Sequence, residues 1–546
     1  MGIGLLRLPV GCAAAAAIFF GSLLTSLPVS AGSSNMQTLI NQDRASNGGL
    51  APLTWSDCLS AVAIQNVQRM VQQGYISHTN GVQLDLGCGT GSTRSSGENV
   101  GYISSGIDDA YMNNLYMNSP GHRANILGAF QYVATAWAVA PNGYGYSAEE
   151  FLAASAPLVS DGFVPLSPTR ILDTRVGNGA PVGAVGPGAT LTVQVTGRGG
   201  IPATIVSAVV LNVTVTNTTV NGGYLIVYPK EDPRPLASNL NWSAGQTVPN
   251  LLEIGLGYSG QLNIYNGTGS ADVIFDVAGY VPAITGTPGP AGLYNPVVPS
   301  RILDTRTGNG APVAPVGPGA FINLQVTGRG GVPALGVSAV ALNVTVTNPT
   351  LGGYLTIYPA GSALPLASNL NFPAGATVPN RVVVKLGTGG QIAIFNGYGS
   401  TNVVVDVNGW FTDGSNPPAT GGTFTGVTPV RILDTRVGTG GFHAPLGAGQ
   451  SLALQVAGFG GVPTMTDQIA PTAAVVNVTV TDTTSQSYLT VYPSGSALPL
   501  ASDLNWPAGA TVPNLALVKL GADGKIVIYN GYGTVDVIVD VVGWYN

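Results

Sequence analysis

The residues with the clearest chemistry near the N-terminus are two histidines and one glutamate. His78 and His122 are two of the three histidines in the chain, and Glu98 lies between them in sequence. Two imidazoles and a carboxylate can coordinate a divalent metal such as zinc and leave one position for water. The same three side chains can instead form a hydrogen-bonded network that ties a helix to a loop. Both interpretations are open from the sequence.

A nucleophile is harder to identify in this region. Ser77 and Ser119 neighbour the two histidines, but Ser119 precedes Pro120 and has the pattern of a helix N-cap. Neither serine has the features of an activated nucleophile. If the site is catalytic, Glu98 is the residue that would serve as general base to a bound water. The catalytic residues are otherwise unknown.

Residues 1–31 have the composition of a cleaved secretion signal, with an apolar stretch that ends in small residues. Glycine, serine and proline interrupt this stretch before it reaches the roughly 20 residues that span a bilayer. Removal of the signal leaves Cys58 and Cys88, and an oxidising compartment favours a disulfide between them over a free, reactive pair. We therefore expect a protein that is secreted, extracellular or loosely associated with the cell wall, with no membrane span.

The elements that must position the site follow from the pattern between residues 33 and 157. Ser56 is placed to cap a helix whose apolar stripe includes Leu59, Ala63 and Val67. Shorter helices are expected around residues 39–45, over 107–117 and from Pro120 onward. Residues 133–139 and 144–151 have the pattern of a β-hairpin. The sequence predicts a layered α/β domain.

Three phrases in this segment carry a family resemblance. They are Ser77-His78, Gly97-Glu98-Asn99-Val100 and the run Ser-Pro-Gly-His-Arg-Ala-Asn-Ile-Leu at 119–127. In this order they resemble the CAP superfamily of cysteine-rich secretory and pathogenesis-related (SCP-like) proteins, in its short bacterial form. The resemblance implies an α-β-α sandwich with a central cleft into which His78, Glu98 and His122 project.

The family pattern usually adds a second acidic residue from the helix that begins near residue 108. This sequence has no glutamate at the expected place, and Asp108 and Asp109 lie too early. The resemblance therefore leaves the fourth position of the cleft unassigned.

The rest of the chain is dominated by an internal repeat. The phrase Arg-Ile-Leu-Asp-Thr-Arg begins at Arg170, Arg301 and Arg431, so three copies follow one another about every 130 residues. Leu211 and Val213 alternate with Asn212 and Thr214, which predicts a strand with one buried face and one solvent face. Many short strands between turns predict an all-β module, either a β-sandwich or a barrel. The copies resemble modules of secreted actinobacterial proteins.

Polar and aromatic repeat positions each allow two interpretations. Asp173 and Arg175 could form a sugar or carboxylate site, but an ion pair that fixes the strand end is the better prediction. An aromatic side chain occupies the same position in each copy, as Trp242, Phe372 and Trp506. These rings could stack on sugars, but we expect them in the core. The third copy has Asp503 where the others carry asparagine, so we expect its surface chemistry to differ.

These boundaries define the expected organisation: a signal at 1–31, a CAP-like domain at 33–157, and β-modules at 160–282, 291–412 and 421–546. Proline- and glycine-rich joints predict modules strung like beads. The net charge is −6 without a basic run, which argues against nucleic acid or anionic lipid as a partner.

Three functions are compatible with this organisation. The first is an extracellular binding protein whose cleft holds a divalent metal or a small apolar or envelope ligand, with β-modules that contact the cell wall or carbohydrate. The second is a metal-dependent hydrolase of peptides or peptidoglycan. The third is a structural or adhesion protein. The missing nucleophile favours the first.

Overall fold

The computed structural model describes residues 29–31, 35–78, 81–89, 94–156, 158–415, 421–467 and 469–546. The predicted secretion signal lies outside these residues apart from its last three positions. A layered α/β domain comes first, and three all-β modules follow it. Within the described part of the chain, no helix combines the length and apolarity needed to cross a membrane.

The N-terminal domain has one mixed sheet between two layers of helices. The strands run in the order β1-β4-β5-β3, with the short β2 parallel to the start of β4. Helix α2 packs on one face, and α1, α4 and α5 pack on the other. This confirms the predicted α-β-α sandwich. The elements are α1 Met36–Ser46, α2 Asp57–Gln73, α3 Gly81–Gly87, α4 Asp109–Asn118, α5 Pro120–Ile126, β1 Val29–Ala31, β2 Thr54–Trp55, β3 Ser95–Ile103, β4 Tyr132–Val139 and β5 Gly145–Ala153.

Helix α2 forms where the sequence predicted it. The Ser56 hydroxyl accepts a hydrogen bond from the Leu59 amide at the N-cap, and Gly74 ends the helix in the left-handed conformation at φ 79°. Leu59, Ala63 and Val67 are completely buried against the sheet. The predicted hairpin is also confirmed as β4 and β5, whereas α3 and β3 were not predicted as elements.

Each module is a sandwich of two antiparallel sheets, not a barrel. One sheet, here called the inner sheet, has the order β12-β9-β14-β7 in module 1, β20-β17-β22-β15 in module 2 and β28-β25-β30-β23 in module 3, and the short β6 also pairs with β14. The other, here called the outer sheet, has the orders β11-β10-β13-β8, β19-β18-β21-β16 and β27-β26-β29-β24.

Most strands of the three modules have similar lengths at equivalent positions. Module 1 contains β6 Val159–Ser160, β7 Val164–Asp173, β8 Thr190–Gln194, β9 Val206–Thr216, β10 Gly223–Pro229, β11 Leu240–Trp242, β12 Val248–Gly255, β13 Gln261–Asn266 and β14 Asp272–Ile284. Module 2 contains β15 Ala291–Asp304, β16 Phe321–Gln325, β17 Val337–Thr347, β18 Gly353–Pro359, β19 Leu370–Phe372, β20 Val378–Lys385, β21 Gln391–Asn396 and β22 Asn402–Asp413. Module 3 contains β23 Phe424–Asp434, β24 Ser451–Gln455, β25 Ala473–Thr481, β26 Ser487–Pro493, β27 Leu504–Trp506, β28 Val512–Lys519, β29 Lys525–Asn530 and β30 Asp536–Tyr545.

The repeated polar and aromatic positions have the structural roles that the sequence favoured. Trp242, Phe372 and Trp506 are at most 4% exposed and belong to the cores between the sheets. Asp173 accepts two hydrogen bonds from the Arg175 guanidinium at 2.7 and 2.8 Å. The other two modules repeat this ion pair, which fixes the end of the first long strand.

The modules do not form beads on a string, so that prediction is wrong. Their inner sheets meet around a common axis with approximate threefold symmetry, and β12, β20 and β28 contact one another along it. We refer to the three modules together as the β-unit. Its axis is filled by a separate apolar cluster to which all modules contribute, including Phe163, Val210, Leu251, Tyr294, Ala341, Phe411, Phe424, Val475 and Tyr545.

A cyclic set of asparagine contacts joins the modules around this axis. The Asn380 amide donates to the Asn212 side-chain oxygen at 2.9 Å, Asn514 donates to Asn343 at 3.2 Å, and Asn250 donates to Asn477 at 3.0 Å. Each module therefore contacts both others through the same pair of positions.

The strand that carries Asn212 does not have the solvent-exposed face that was predicted for it. Asn212 and Thr214 are both only 2% exposed because the next module covers their side of the inner sheet. The Asn212 amide donates to the Ser368 carbonyl of module 2 at 2.7 Å. Neighbouring modules thus supply the hydrogen bonds that water was expected to supply, and both faces of the inner sheet are buried.

Candidate functional site

The clearest site contact joins His78 to Glu98. The His78 Nδ1 atom lies 2.5 Å from Glu98 Oε1, and the side chains are 67% and 6% exposed, respectively. His78 follows α2 by a short turn, and Glu98 lies on the edge strand β3. A buried carboxylate thus orients an exposed imidazole, whose other ring nitrogen is not used in this contact.

Glu98 belongs to a cluster of buried acids behind the imidazole. The Asn66 amide of α2 donates to Glu98 Oε2 at 2.6 Å and to Glu150 Oε1 at 3.1 Å. Glu150 pairs with Glu98 across β3 and β5, and the Asp85 carboxyl of α3 adjoins Glu150. Burial, reinforced by the neighbouring carboxylates, raises the pKa of both Asp85 and Glu150 well above the usual range.

The main-chain carbonyl of His122 lies on the face of the sheet opposite to α2. Neighbouring residues of a strand point to opposite faces, so Glu98 shares the α2 face with Glu150, and Asn99 faces α5. The Asn99 amide donates to the His122 carbonyl at 3.1 Å and to Glu149 at 2.8 Å. The His122 ring meets Tyr116 edge-on at 4.9 Å. Burial, and then the charge of His78, lowers the pKa of His122.

The other polar residues near the site are engaged elsewhere. The Ser77 hydroxyl accepts hydrogen bonds from Arg69 at 2.6 Å and from Gln73 at 2.8 Å. Asp108 caps α4 by accepting from the Tyr111 amide, and Asp109 accepts from the Trp137 indole at 2.7 Å. These two aspartates are therefore structural, and neither completes the cleft.

Among the described residues, no three histidine, cysteine, aspartate or glutamate side chains lie where they could share one ion. Both Glu98 oxygens are already engaged, one by the Asn66 amide and the other by the His78 ring.

The predicted disulfide between Cys58 and Cys88 is confirmed, with a Cα–Cα distance of 5.5 Å. It joins the first turn of α2 to the residue after α3. Since α2 carries Asn66 and α3 carries Asp85, the bond ties together two elements of the acid cluster.

Sequence reasoning missed the buried acids Glu149, Glu150 and Asp85. All three are completely buried, and burial raises the pKa of Glu149 to about 8. The sequence offered one signal, since adjacent glutamates inside a strand must place one carboxylate on each face of the sheet. The predicted hairpin already contained both of them.

Comparison with known proteins assigns the N-terminal domain. Residues 37–152 match the family model for CAP, the cysteine-rich secretory protein family. No curated protein matches the chain. The similarity is therefore to a domain family, and it confirms the resemblance on which the cleft residues were chosen.

Three solved structures with some similarity to the chain are distant from it in sequence. A chain described under "The Triple Jelly Roll Fold and Turret Assembly in an Archaeal Virus" is 11% identical, with 71% of this chain and 90% of that chain covered and a TM-score of 0.15. A chain of Sulfolobus Turreted Icosahedral Virus is 11% identical, with coverage of 79% and 94% and a TM-score of 0.15. The CBM22-1-CBM22-2 tandem domain of Paenibacillus barcinonensis Xyn10C is 10% identical, with coverage of 46% and 100% and a TM-score of 0.14. None of these carries an argument about this protein.

Proposed function

We propose that the CAP domain formed by residues 37–152 is the ligand-binding part of an exported, extracellular protein, and that its cleft takes a small apolar or envelope-derived molecule at His78. The contact between His78 and the buried Glu98 carries this proposal. A carboxylate that fixes one ring nitrogen presents the other to a ligand in a defined direction, which lowers the ordering cost of binding.

Exposed apolar side chains near the histidines suit such a ligand. Tyr75 and Ile76, directly before Ser77 and His78, are 62% and 41% exposed. Tyr111 and Leu115 are exposed one turn apart on α4, which packs against the helix that carries His122. Apolar surface around a small number of polar groups is the usual composition of a small-molecule site.

Two contacts favour binding over hydrolysis. Both Glu98 oxygens accept hydrogen bonds from protein groups, which leaves the carboxylate poorly placed to activate a water. The Ser77 hydroxyl accepts hydrogen bonds from Arg69 and Gln73, and its contacts among the described residues include no base that could remove its proton. For the β-unit, we propose contact with the cell wall or carbohydrate.

The histidine signals of the full chain test the cleft directly. In ¹⁵N-histidine-labelled protein, palmitate should shift the ring signals of His78 and His122. His443, whose Nε2 lies 3.0 Å from the Arg436 carbonyl in module 3, serves as the internal control. His78→Ala should abolish the shift of His122 without unfolding the domain, because the His78 side chain is mostly exposed.

Zinc and peptidoglycan provide the contrasting outcomes. Shifts of both cleft histidines with zinc but none with palmitate would reassign the cleft to a metal. Fragments released from purified peptidoglycan by the wild type, but not by Glu98→Gln, would favour the hydrolase. Shifts of equal size at His443 would contradict a specific site.

A further inference from the structure

A cavity lies outside the CAP domain, on the axis of the β-unit. Its volume is about 1070 Å³, which is enough for a small ligand or a short oligosaccharide. Equivalent segments of all three modules line it, namely the residues around 241–249, 371–379 and 505–513. We call this cavity the axial basin.

The basin is built from turns that the repeat places in threefold register. Each turn connects the short third strand of an outer sheet to the axial strand of the inner sheet. Glycine is required at its centre, since Gly245, Gly375 and Gly509 have φ between 73° and 77°. The backbone amides of these glycines donate to the same module at 2.7 to 2.8 Å, which holds the turns in place.

Three asparagine amides border this cavity in a defined orientation. Asn241, Asn371 and Asn505 each accept a hydrogen bond from the serine three residues earlier, at 3.0, 3.1 and 3.0 Å. This contact fixes the amide oxygen. In the described part of the chain, the three amide nitrogens have no protein partner. The basin therefore offers three half-buried N–H donor groups from equivalent positions.

The remaining lining defines the ligand chemistry. It contains threonine and serine hydroxyls, the rings of Tyr488 and Tyr532, and no carboxylate. Its two cations, Arg301 and Arg306, are already paired with aspartates of module 2. A polyanion such as nucleic acid needs uncompensated cations, whereas amides, hydroxyls and an exposed aromatic face suit the hydroxyl groups and ring faces of sugars.

We propose that the axial basin is a glycan-binding site in which the amides of Asn241, Asn371 and Asn505 donate to sugar oxygens and the Tyr532 ring packs against a pyranose. The site rests on the proposed contact of the β-unit with cell wall or carbohydrate and identifies the surface responsible. It is separate from the CAP cleft, because the lining residues all belong to the three modules.

Saturation-transfer NMR and calorimetry on the full chain test the proposal, with chitohexaose and a muramidase digest of peptidoglycan as probes. The wild type should bind at least one probe. The triple variant N241A/N371A/N505A should bind at least tenfold more weakly, with an unchanged melting temperature. Asn323→Ala is the matched control, since Asn323 is exposed on the outer sheet of module 2, outside the basin.

Two results would overturn the proposal: no binding of either probe by the wild type, or equal binding by the triple variant. His78→Ala should leave glycan binding unchanged. Failure of the CAP cleft to bind palmitate would therefore leave the basin proposal standing, and failure of the basin would leave the cleft result unaffected.

Discussion

Replacing Arg381 with leucine should destabilise the β-unit, although leucine is the residue that the other two modules carry at this position. The Arg381 guanidinium lies 2.6 Å from the Asp503 carboxylate, and the side chains are 0% and 2% exposed. The equivalent residues on the axis are Leu251 and Leu515. The ion pair therefore joins module 2 to module 3 where the other interfaces have a leucine beside an asparagine.

The expected cost follows from the burial of both partners. Arg381→Leu removes the charge that compensates Asp503, together with a hydrogen bond to the Leu515 carbonyl at 3.1 Å. Loss of one partner from a fully buried pair costs about 3–5 kcal/mol. Burial already raises the pKa of Asp503, so the isolated acid can take up a proton, which places the cost toward the lower end of that range.

The double variant R381L/D503N supplies the matched control. It recreates the leucine and asparagine that the chain already uses at the equivalent positions, including Asn239 and Asn369. Neither charge of the pair remains, so its free energy of unfolding should lie within about 1 kcal/mol of the wild type. Asp503→Asn alone leaves Arg381 buried without a counter-charge and should be as destabilising as Arg381→Leu.

Urea unfolding followed by tryptophan fluorescence measures these differences, because Trp242 and Trp506 are buried in module cores. A double-mutant cycle then separates the coupling between the partners from the effect of each substitution alone. If the double variant lost the sum of the two single costs, the reasoning from the buried pair would be refuted. A neutral Arg381→Leu would refute it as well.

Two further predictions concern titration and the disulfide. Burial raises the pKa of Glu253 on the axis to about 8, whereas an unfolded glutamate titrates near pH 4.3, so the folded state binds more protons between these values. The free energy of unfolding of the β-unit, measured by urea unfolding, should fall as pH rises through this window. Glu253→Gln keeps a hydrogen-bond partner for Tyr545 but does not titrate, so it should make this pH dependence weaker. Removal of the bond between Cys58 and Cys88, which are 30 residues apart, should cost the CAP domain about 3.6 kcal/mol, measured by denaturation of C58S/C88S. An unchanged CAP-domain midpoint, or an equal loss in the β-unit, would contradict that estimate.

Prediction from sequence succeeded where a pattern depends on neighbours along the chain. The capped, amphipathic α2 and the hairpin of β4 and β5 formed as expected, because capping and periodicity are local properties. The family phrases located His78, Glu98 and His122. They did not show that Glu98 lies on a strand, since no strand was predicted around it.

The largest difference concerns the polar face of the inner sheets. Asn212 and Thr214 have the alternation of a half-exposed strand, and an asparagine amide is equally well satisfied by water or by another module. The residues that neighbour Asn212 in sequence do not show whether its partner is water or another module. Asp503 was likewise expected to alter a surface, but it is buried against Arg381.

The sequence by itself determined that the chain carries a CAP domain and three similar β-modules, and it selected His78, Glu98 and His122 as the candidate site. The tertiary structure alone decided that the modules close around one axis and that His78 contacts Glu98 at the edge strand β3. The physical reason is that the residue types of a segment determine which hydrogen bonds and apolar contacts it is able to make. Which distant groups become its partners is determined only when the whole chain packs.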